Sequence, residues 1–151
     1  IVTKFLNGFN NPEQIQESIA LLAADYKFKN PMVELNSKTE FIELAKQIGA
    51  VITGIKIINI AENGNWIAAY YDFKSSVENL ESNTATEWFR IENGIIKESN
   101  LIYDTSEWRK FYANPNSIKK SCHKAIFAQI TLPIFAIIGF IKLKYQKCIK
   151  N

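Results

Sequence analysis

The chain reads as an α+β domain in which helices are segregated to one face of a curved antiparallel sheet. Two observations carry that reading. Apolar residues recur three and four apart only in the first fifty positions, whereas from Ala50 onward the period falls to two and β-branched residues dominate. Two Asn-Gly pairs, Asn63-Gly64 and Asn93-Gly94, then punctuate the β-like stretch, and Asn-Gly between alternating runs is the strongest short signal for a hairpin. Helices followed by a block of strands, with no βαβ alternation, is the α+β plan.

Each element has its own justification. Residues 1–9 place Phe5, Leu6 and Phe9 at helical spacing with Gly8 near the close. The chain starts Ile1-Val2-Thr3, with no methionine and no signal-like apolar run, and reads as the cut end of a helix that begins upstream. Asn11-Pro12 starts a second helix, with Ile15, Ile19 and Leu22 on one face and Glu13 and Glu17 suited to its positive end. Tyr26, Phe28 and Asn30 alternate with Lys27 and Lys29 as a short strand that stops at Pro31, which lacks a donor. Ser37-Lys38-Thr39-Glu40 has the spacing of a capping box and opens a third helix through Phe41, Leu44 and Ile48 to Gly49. Val51 to Ile60 and Trp66 to Phe73 form one hairpin, and Thr84 to Ile91 and Ile95 to Tyr103 a second. Asp104 caps a last helical turn that carries Trp108.

Charge divides the chain in two. Residues 1–112 hold 11 Lys and Arg against all 15 acids, while residues 113–151 hold 7 Lys and no acid where ordinary usage would give roughly five. The acidic first part offers no basic stripe for a phosphate backbone, so no nucleic-acid partner is expected. The only histidine, His123, and both cysteines, Cys122 and Cys148, lie in the second part. The first part therefore lacks the side chains of a Ser/His/Asp triad, a Cys/His pair or a zinc site. It also lacks a phosphate loop, a dinucleotide fingerprint and an EF-hand spacing, so no cofactor or metal is expected. Its chemistry must use carboxylates, Tyr, Lys, Arg or amides. Two cysteines are too few for a disulfide framework, which favours a reducing compartment and a cytoplasmic body.

The stretch Ile55-Lys56-Ile57-Ile58-Asn59-Ile60 is apolar on both parities. Two explanations stand side by side: both sheet faces are covered, one by helices and the other by a second subunit in a symmetric dimer, or β-branched residues are simply good strand formers.

The opening Phe5-Leu6-Asn7-Gly8-Phe9-Asn10, the segment from Ile19 to Pro31 that closes on Asn30-Pro31, and Trp88-Phe89-Arg90-Ile91-Glu92-Asn93-Gly94-Ile95-Ile96-Lys97 with Tyr103-Asp104 resemble the SnoaL-like branch of the nuclear transport factor 2 superfamily. That superfamily includes polyketide cyclases and ketosteroid isomerases, and the resemblance spans 1 to about 112. It implies a cone in which the sheet wraps around the helices and leaves a mostly apolar central pocket for a small molecule. In ketosteroid isomerases an Asp before the first-strand proline is the general base, and a Tyr with a protonated Asp forms the oxyanion hole. Those roles fall here on Asn30, which cannot take a proton, near Phe5 and Phe9, and approximately on Glu87. Steroid isomerisation is therefore disfavoured.

Glu87 is the leading catalytic candidate and Asp72, beside Tyr70, the second; the pocket lining is expected from Phe9, Tyr26, Phe28, Asn30, Tyr70, Phe89, Asn100 and Ile102. If Asn93-Gly94 is a two-residue turn, Glu92 pairs with Ile95 and Glu87 stands opposite Asn100; a three-residue turn pairs it with Ser99. A carboxyl on an apolar wall has its pKa raised by desolvation and suits acid/base work, while a satisfied buried hydrogen bond from Asn to Glu is the simpler explanation. Three functions follow, each with a signature. A binder of a small apolar molecule has a pocket without a titrating group, an acid/base isomerase, cyclase or dehydratase has Glu87 buried in the cavity and needed for turnover, and an interaction module has the space filled by Phe5, Phe9, Phe28 and Phe89.

Residues 125–141 form a run of Ala, Ile, Phe, Leu and Gly interrupted by Gln129, Thr131 and Pro133 and flanked by lysines on both sides. As a helix it would span roughly 26 Å, slightly short of a hydrocarbon core unless the lysines snorkel. A membrane anchor, a helix packed on the body or a partner, and a segment foreign to the domain all fit.

Overall fold

A computed structural model of the chain describes residues 1–49 and 51–113. Two compact units divide it, Ile1–Trp108 and Arg109–Asn151. The run 125–141 lies outside the described residues, among which no helix is long and apolar enough to cross a membrane.

In the first unit, α1 (Val2–Asn7) leads through a 3-10 turn (Gly8–Asn10) to α2 (Ile15–Ala20), β1 (Leu22–Lys29), β2 (Glu34–Leu35) and α3 (Lys38–Ile48). Four long strands follow, β3 (Ile52–Asn63), β4 (Trp66–Ser75), β5 (Ser82–Glu92) and β6 (Ile95–Tyr103), and then α4 starts at Ser106. The strands form one unclosed sheet in the order β2-β1-β6-β5-β4-β3. All neighbours are antiparallel except β1 and β6, which are parallel, so the sheet is mixed rather than wholly antiparallel. Sequence alternation cannot reveal this, because a strand that returns from the helices joins at whichever end its connection reaches.

Local chemistry explains the element ends. The Ser37 hydroxyl accepts from the Glu40 amide at 3.2 Å, and the Glu40 carboxylate accepts from the Asn36 amide at 2.7 Å, one residue earlier than a standard capping box. The second hairpin turns on Asn93 (φ 50°) and Gly94 (φ 77°), both left-handed as a type I′ turn requires. In the first hairpin Asn63 pairs with Trp66, so the turn residues are Gly64-Asn65 rather than Asn63-Gly64, and only Gly64 has positive φ (57°), the pattern of a type II′ turn. The second helix is shorter than its apolar spacing predicts, because Leu22 and Ala23 already belong to β1. Gly8 permits the α1–α2 contact: a Cβ there would lie 1.8 Å from the Ser18 hydroxyl, which donates to the Lys4 carbonyl.

The core lies between the helices and the inner sheet face, and rings dominate it. Phe5 of α1 packs on Phe41 of α3 and Phe89 of β5, with centroids 6.2 and 5.8 Å apart, and Phe41 meets Tyr26 and Phe28 of β1, each at 5.2 Å. Edge-on and tilted arrangements of this kind set the positive rim of one ring against the negative face of the next.

Candidate functional site

Alternation along β4, β5 and β6 decides which side chains enter the core. On β5, Ala85, Glu87 and Phe89 point inward, and Trp88 points outward. The two-residue turn pairs Glu92 with Ile95, as expected, yet Glu87 faces Leu101 and not Asn100. The cause is a β-bulge: Ile91 pairs with Ile96 and Arg90 with Glu98, which leaves Lys97 without a partner on β5. One extra residue reverses the parity of everything beyond it. Ser99, Leu101 and Tyr103 therefore turn inward, while Asn100 and Ile102 face outward and are exposed.

The bulge assembles a polar row on the inner wall. The Ser99 hydroxyl donates to Glu87 Oε1 at 2.5 Å, and the Tyr71 hydroxyl donates to Glu87 Oε2 at 2.8 Å. The Tyr26 hydroxyl lies 2.6 Å from the Ser99 oxygen. Ser99 has one hydrogen and spends it on Glu87, so Tyr26 must be the donor to Ser99. All the hydroxyl hydrogens then run toward the carboxylate, and both of its oxygens accept. Adding a proton to Glu87 reverses one of these bonds and leaves a buried hydroxyl hydrogen without an acceptor. Burial pulls the other way. Glu87 is 3 % exposed, and desolvation lifts its pKa to about 7 against the opposing hydrogen bonds from Ser99 and Tyr71. Desolvation and the neighbouring Glu87 charge also push Tyr26 and Tyr71 well above the ordinary phenol value, so both stay neutral donors.

The expected site residues separate into two sets. Glu87, Tyr26, Phe28 and Phe89 are buried on the inner wall, and Phe9 is half-buried beside Phe5 at 5.5 Å. Asp72, Tyr70, Asn100 and Ile102 belong to the outer face, so none of the four lines the cone. Tyr70 and Asp72 share one parity of β4 and Tyr71 the other, and it is Tyr71 that enters. Asp72 accepts from the Thr84 hydroxyl at 2.8 Å, with Lys74 3.8 Å away, on the face opposite Glu87. The Asn30 side chain accepts from the Met32 and Val33 amides at 2.7 and 2.8 Å and so shapes the turn into β2 instead of a pocket. Tyr71 and Ser99 were missed as lining residues; alternation through Tyr71 was legible, whereas Ser99 needed the bulge.

Among the described residues, one cleft of about 630 Å³ is walled by the outer-face side chains of Trp66, Trp88, Asn100 and Ile102 with Lys27 and Lys29, and is also lined by Phe28 and Ser99. A second, of about 490 Å³, is lined by Leu22 to Asp25 and by Glu92, Asn93, Ile95 and Lys97. Neither is lined by Glu87. Phe5, Phe28 and Phe89 are buried and fill much of the cone, yet Leu44 and Ile48 of α3, Ile57 of β3 and Leu101 and Tyr103 of β6 are only half-buried. Leu101 is the cross-strand neighbour of Glu87.

No family model matches the chain, and no curated protein matches it. Solved structures do. A nuclear transport factor 2-like protein of unknown function from Cytophaga hutchinsonii aligns with a TM-score of 0.61 at 17% identity, over 72% of this chain and 90% of that one. A protein with the ketosteroid isomerase-like fold from Catenulispora acidiphila, solved with trimethylamine, aligns at 0.59 and 14% identity, over 70% and 85%. An LEH-like epoxide hydrolase from M. tuberculosis aligns at 0.59 and 17% identity, over 85% and 91%. The chain thus has the nuclear transport factor 2-like fold, and at these identities the likeness speaks for fold alone.

Proposed function

We propose that the chain binds a small, largely apolar molecule between α3 and the inner sheet face, with the Tyr26–Ser99–Glu87–Tyr71 row as its polar anchor. The observation that carries this is a fully buried carboxyl held by hydroxyls on a wall that is otherwise aromatic and aliphatic. Burying such a group costs several kcal/mol relative to a well-packed apolar substitute, and departures of this kind concentrate at functional sites. Half-buried Leu101, Tyr103, Leu44 and Ile48 mark the approach. Each carboxylate oxygen accepts one hydroxyl, so an incoming hydroxyl can donate to a remaining lone pair, whereas an incoming carbonyl must take a hydroxyl hydrogen from the carboxylate. The ligand is then a mainly apolar body with one such oxygen.

Thermal-shift titration of the full chain with a steroid ketone, a terpene epoxide and a polycyclic aromatic ketone tests the reading. At least one probe should stabilise the wild type, and Tyr71→Phe, which removes one hydroxyl, should weaken that probe by about ten-fold. No shift with any probe, or equal shifts in wild type and Tyr71→Phe, would sink it.

A second reading, acid/base isomerisation, cyclisation or dehydration, is favoured by one feature. A carboxyl with a pKa of about 7 is divided between its proton-donating and proton-accepting forms at neutral pH. Under that reading Glu87→Gln abolishes turnover of whichever probe binds while leaving its affinity within a few-fold.

A further inference from the structure

The outer face of the sheet carries side chains that the cone does not use. Trp66 of β4 and Trp88 of β5 point outward as diagonal cross-strand neighbours, since Trp66 pairs with Arg90 and Ala68 with Trp88. Each indole has a carboxamide directly across from it, Asn63 of β3 opposite Trp66 and Asn100 of β6 opposite Trp88. Both indoles and both amides line the 630 Å³ hollow, and Asn36, just past β2, adds a third amide. The Asn36 backbone amide donates to Glu40, but its carboxamide, like those of Asn63 and Asn100, bonds no other group among the described residues. Of the two lysines in the lining, Lys29 pairs with Glu34 at 3.3 Å. Lys27 makes no salt bridge, and its cross-strand neighbour Glu98 is already engaged by Arg90 at 2.9 Å.

We propose that this hollow binds an acidic oligosaccharide, one whose sugars carry a carboxylate as hexuronates do. Three features select that ligand. A pyranose ring has an apolar C–H face, and an indole offers a flat apolar surface of negative potential on which such a face stacks. The rim of the same ring is made of hydroxyls that both donate and accept, and a carboxamide is the neutral side chain that answers both, with two hydrogens and two lone pairs. A wholly apolar occupant would instead bury three amides without partners and forfeit their hydrogen bonds to water. Charge makes the third selection. One unpaired ammonium complements one carboxylate, whereas a nucleotide, which could also stack, would bring two or more phosphate charges to a hollow that already holds Glu34 and Glu98. The volume lies within the ~300–1,000 Å³ of small-molecule sites.

Isothermal titration calorimetry of the full chain with trigalacturonic acid, a hyaluronan tetrasaccharide and neutral maltotriose tests the proposal. At least one acidic probe should bind with a Kd of about 1 mM or tighter, and maltotriose about ten-fold more weakly or not at all. Trp88→Ala and Asn100→Ala, both at exposed positions, should each weaken the acidic probe by about ten-fold while leaving the melting temperature unchanged. Lys27→Gln should bring the acidic probe down to the affinity of the neutral one. Tyr71→Phe, which alters the cone on the opposite face, should bind the acidic probe as wild type does. No heat from either acidic probe at about 10 mM overturns the proposal. So does an affinity that Trp88→Ala leaves intact, a maltotriose affinity equal to that of the acidic probe, or an equal loss in Tyr71→Phe.

Discussion

Glu87 concentrates the energetic tension of the molecule at one side chain. Three hydroxyls are aligned to stabilise its charge, and complete burial opposes that charge. The folded carboxyl holds its proton to about pH 7, whereas an unfolded one releases it near its ordinary value of 4.5. Between those two pH values the native state binds more protons than the unfolded chain, so stability falls as pH rises through the window and levels off above 7. A difference of this size corresponds to about 3 kcal/mol. Melting temperature measured from pH 5 to pH 8 should fall by several degrees more in wild type than in Glu87→Gln, which has no proton to lose. Parallel curves for the two proteins would mean that solvent reaches the carboxyl in the folded state. The identity of this residue was legible from its place on an apolar strand face. Its partners were not, because Tyr71 and Ser99 meet it only through neighbouring strands.

At the scale of elements, the bulge on β6 decides the site. The Asn93-Gly94 turn and the Glu92–Ile95 pair both follow from the sequence, and a regular ladder from that turn would send Asn100 and Ile102 inward. Lys97 is a residue of β6 that β5 does not match, and its ammonium instead reaches the Asp25 carboxylate of β1 at 3.0 Å. β1 is itself irregular at this place: Leu22 pairs with Ile96 and Lys27 with Glu98, so five steps on β1 accompany two on β6. The Leu22 carbonyl is met by the Lys38 ammonium of α3 at 3.0 Å. No local signal announces a bulge whose compensating contacts come from two other elements. Deleting Lys97 should leave a regular ladder in which the pairs beyond it are unchanged, with Ser99 still opposite Phe89 and Leu101 still opposite Glu87. The expected result is a chain that keeps a cooperative melt, having lost the exposed contact of Lys97 with Asp25, and loss of that melt in the deletion variant would show that the bulged residue itself holds this register.

For the molecule as a whole, one ring binds the layers together. Phe41 alone of α3 is buried, and it touches Phe5, Tyr26 and Phe28 from the helical layer and the sheet at once. Replacing it by Ala should cost about 3–5 kcal/mol in denaturant unfolding, the usual range for a ring removed from a packed core. A loss below 1 kcal/mol would mean that α3 is dispensable to the fold. The binding proposed above would approach along α3, where Leu44 and Ile48 are half-buried. Phe41→Ala also tests that description, because it should bind the probe that stabilises wild type faster even while it lowers stability.

The separation of helices from strands, both hairpins, the cap at Ser37 and the inward face of β5 were determined by the sequence by itself, since each depends on residues within a few positions of one another. The acidic body and the absence of imidazole and thiol from it were equally plain, and they limit the chemistry to carboxylates, Tyr, Lys, Arg or amides. Tertiary structure alone decided that β1 joins in parallel, that β6 gains a residue, and that Asn100, Ile102, Tyr70 and Asp72 belong to the outside. These outcomes turn on strand pairing between distant segments, where a shift of one residue is nearly neutral locally and reverses every side chain beyond it. The same shift gave Glu87 its Ser99 partner and left Asn100 and Ile102 on the outer face.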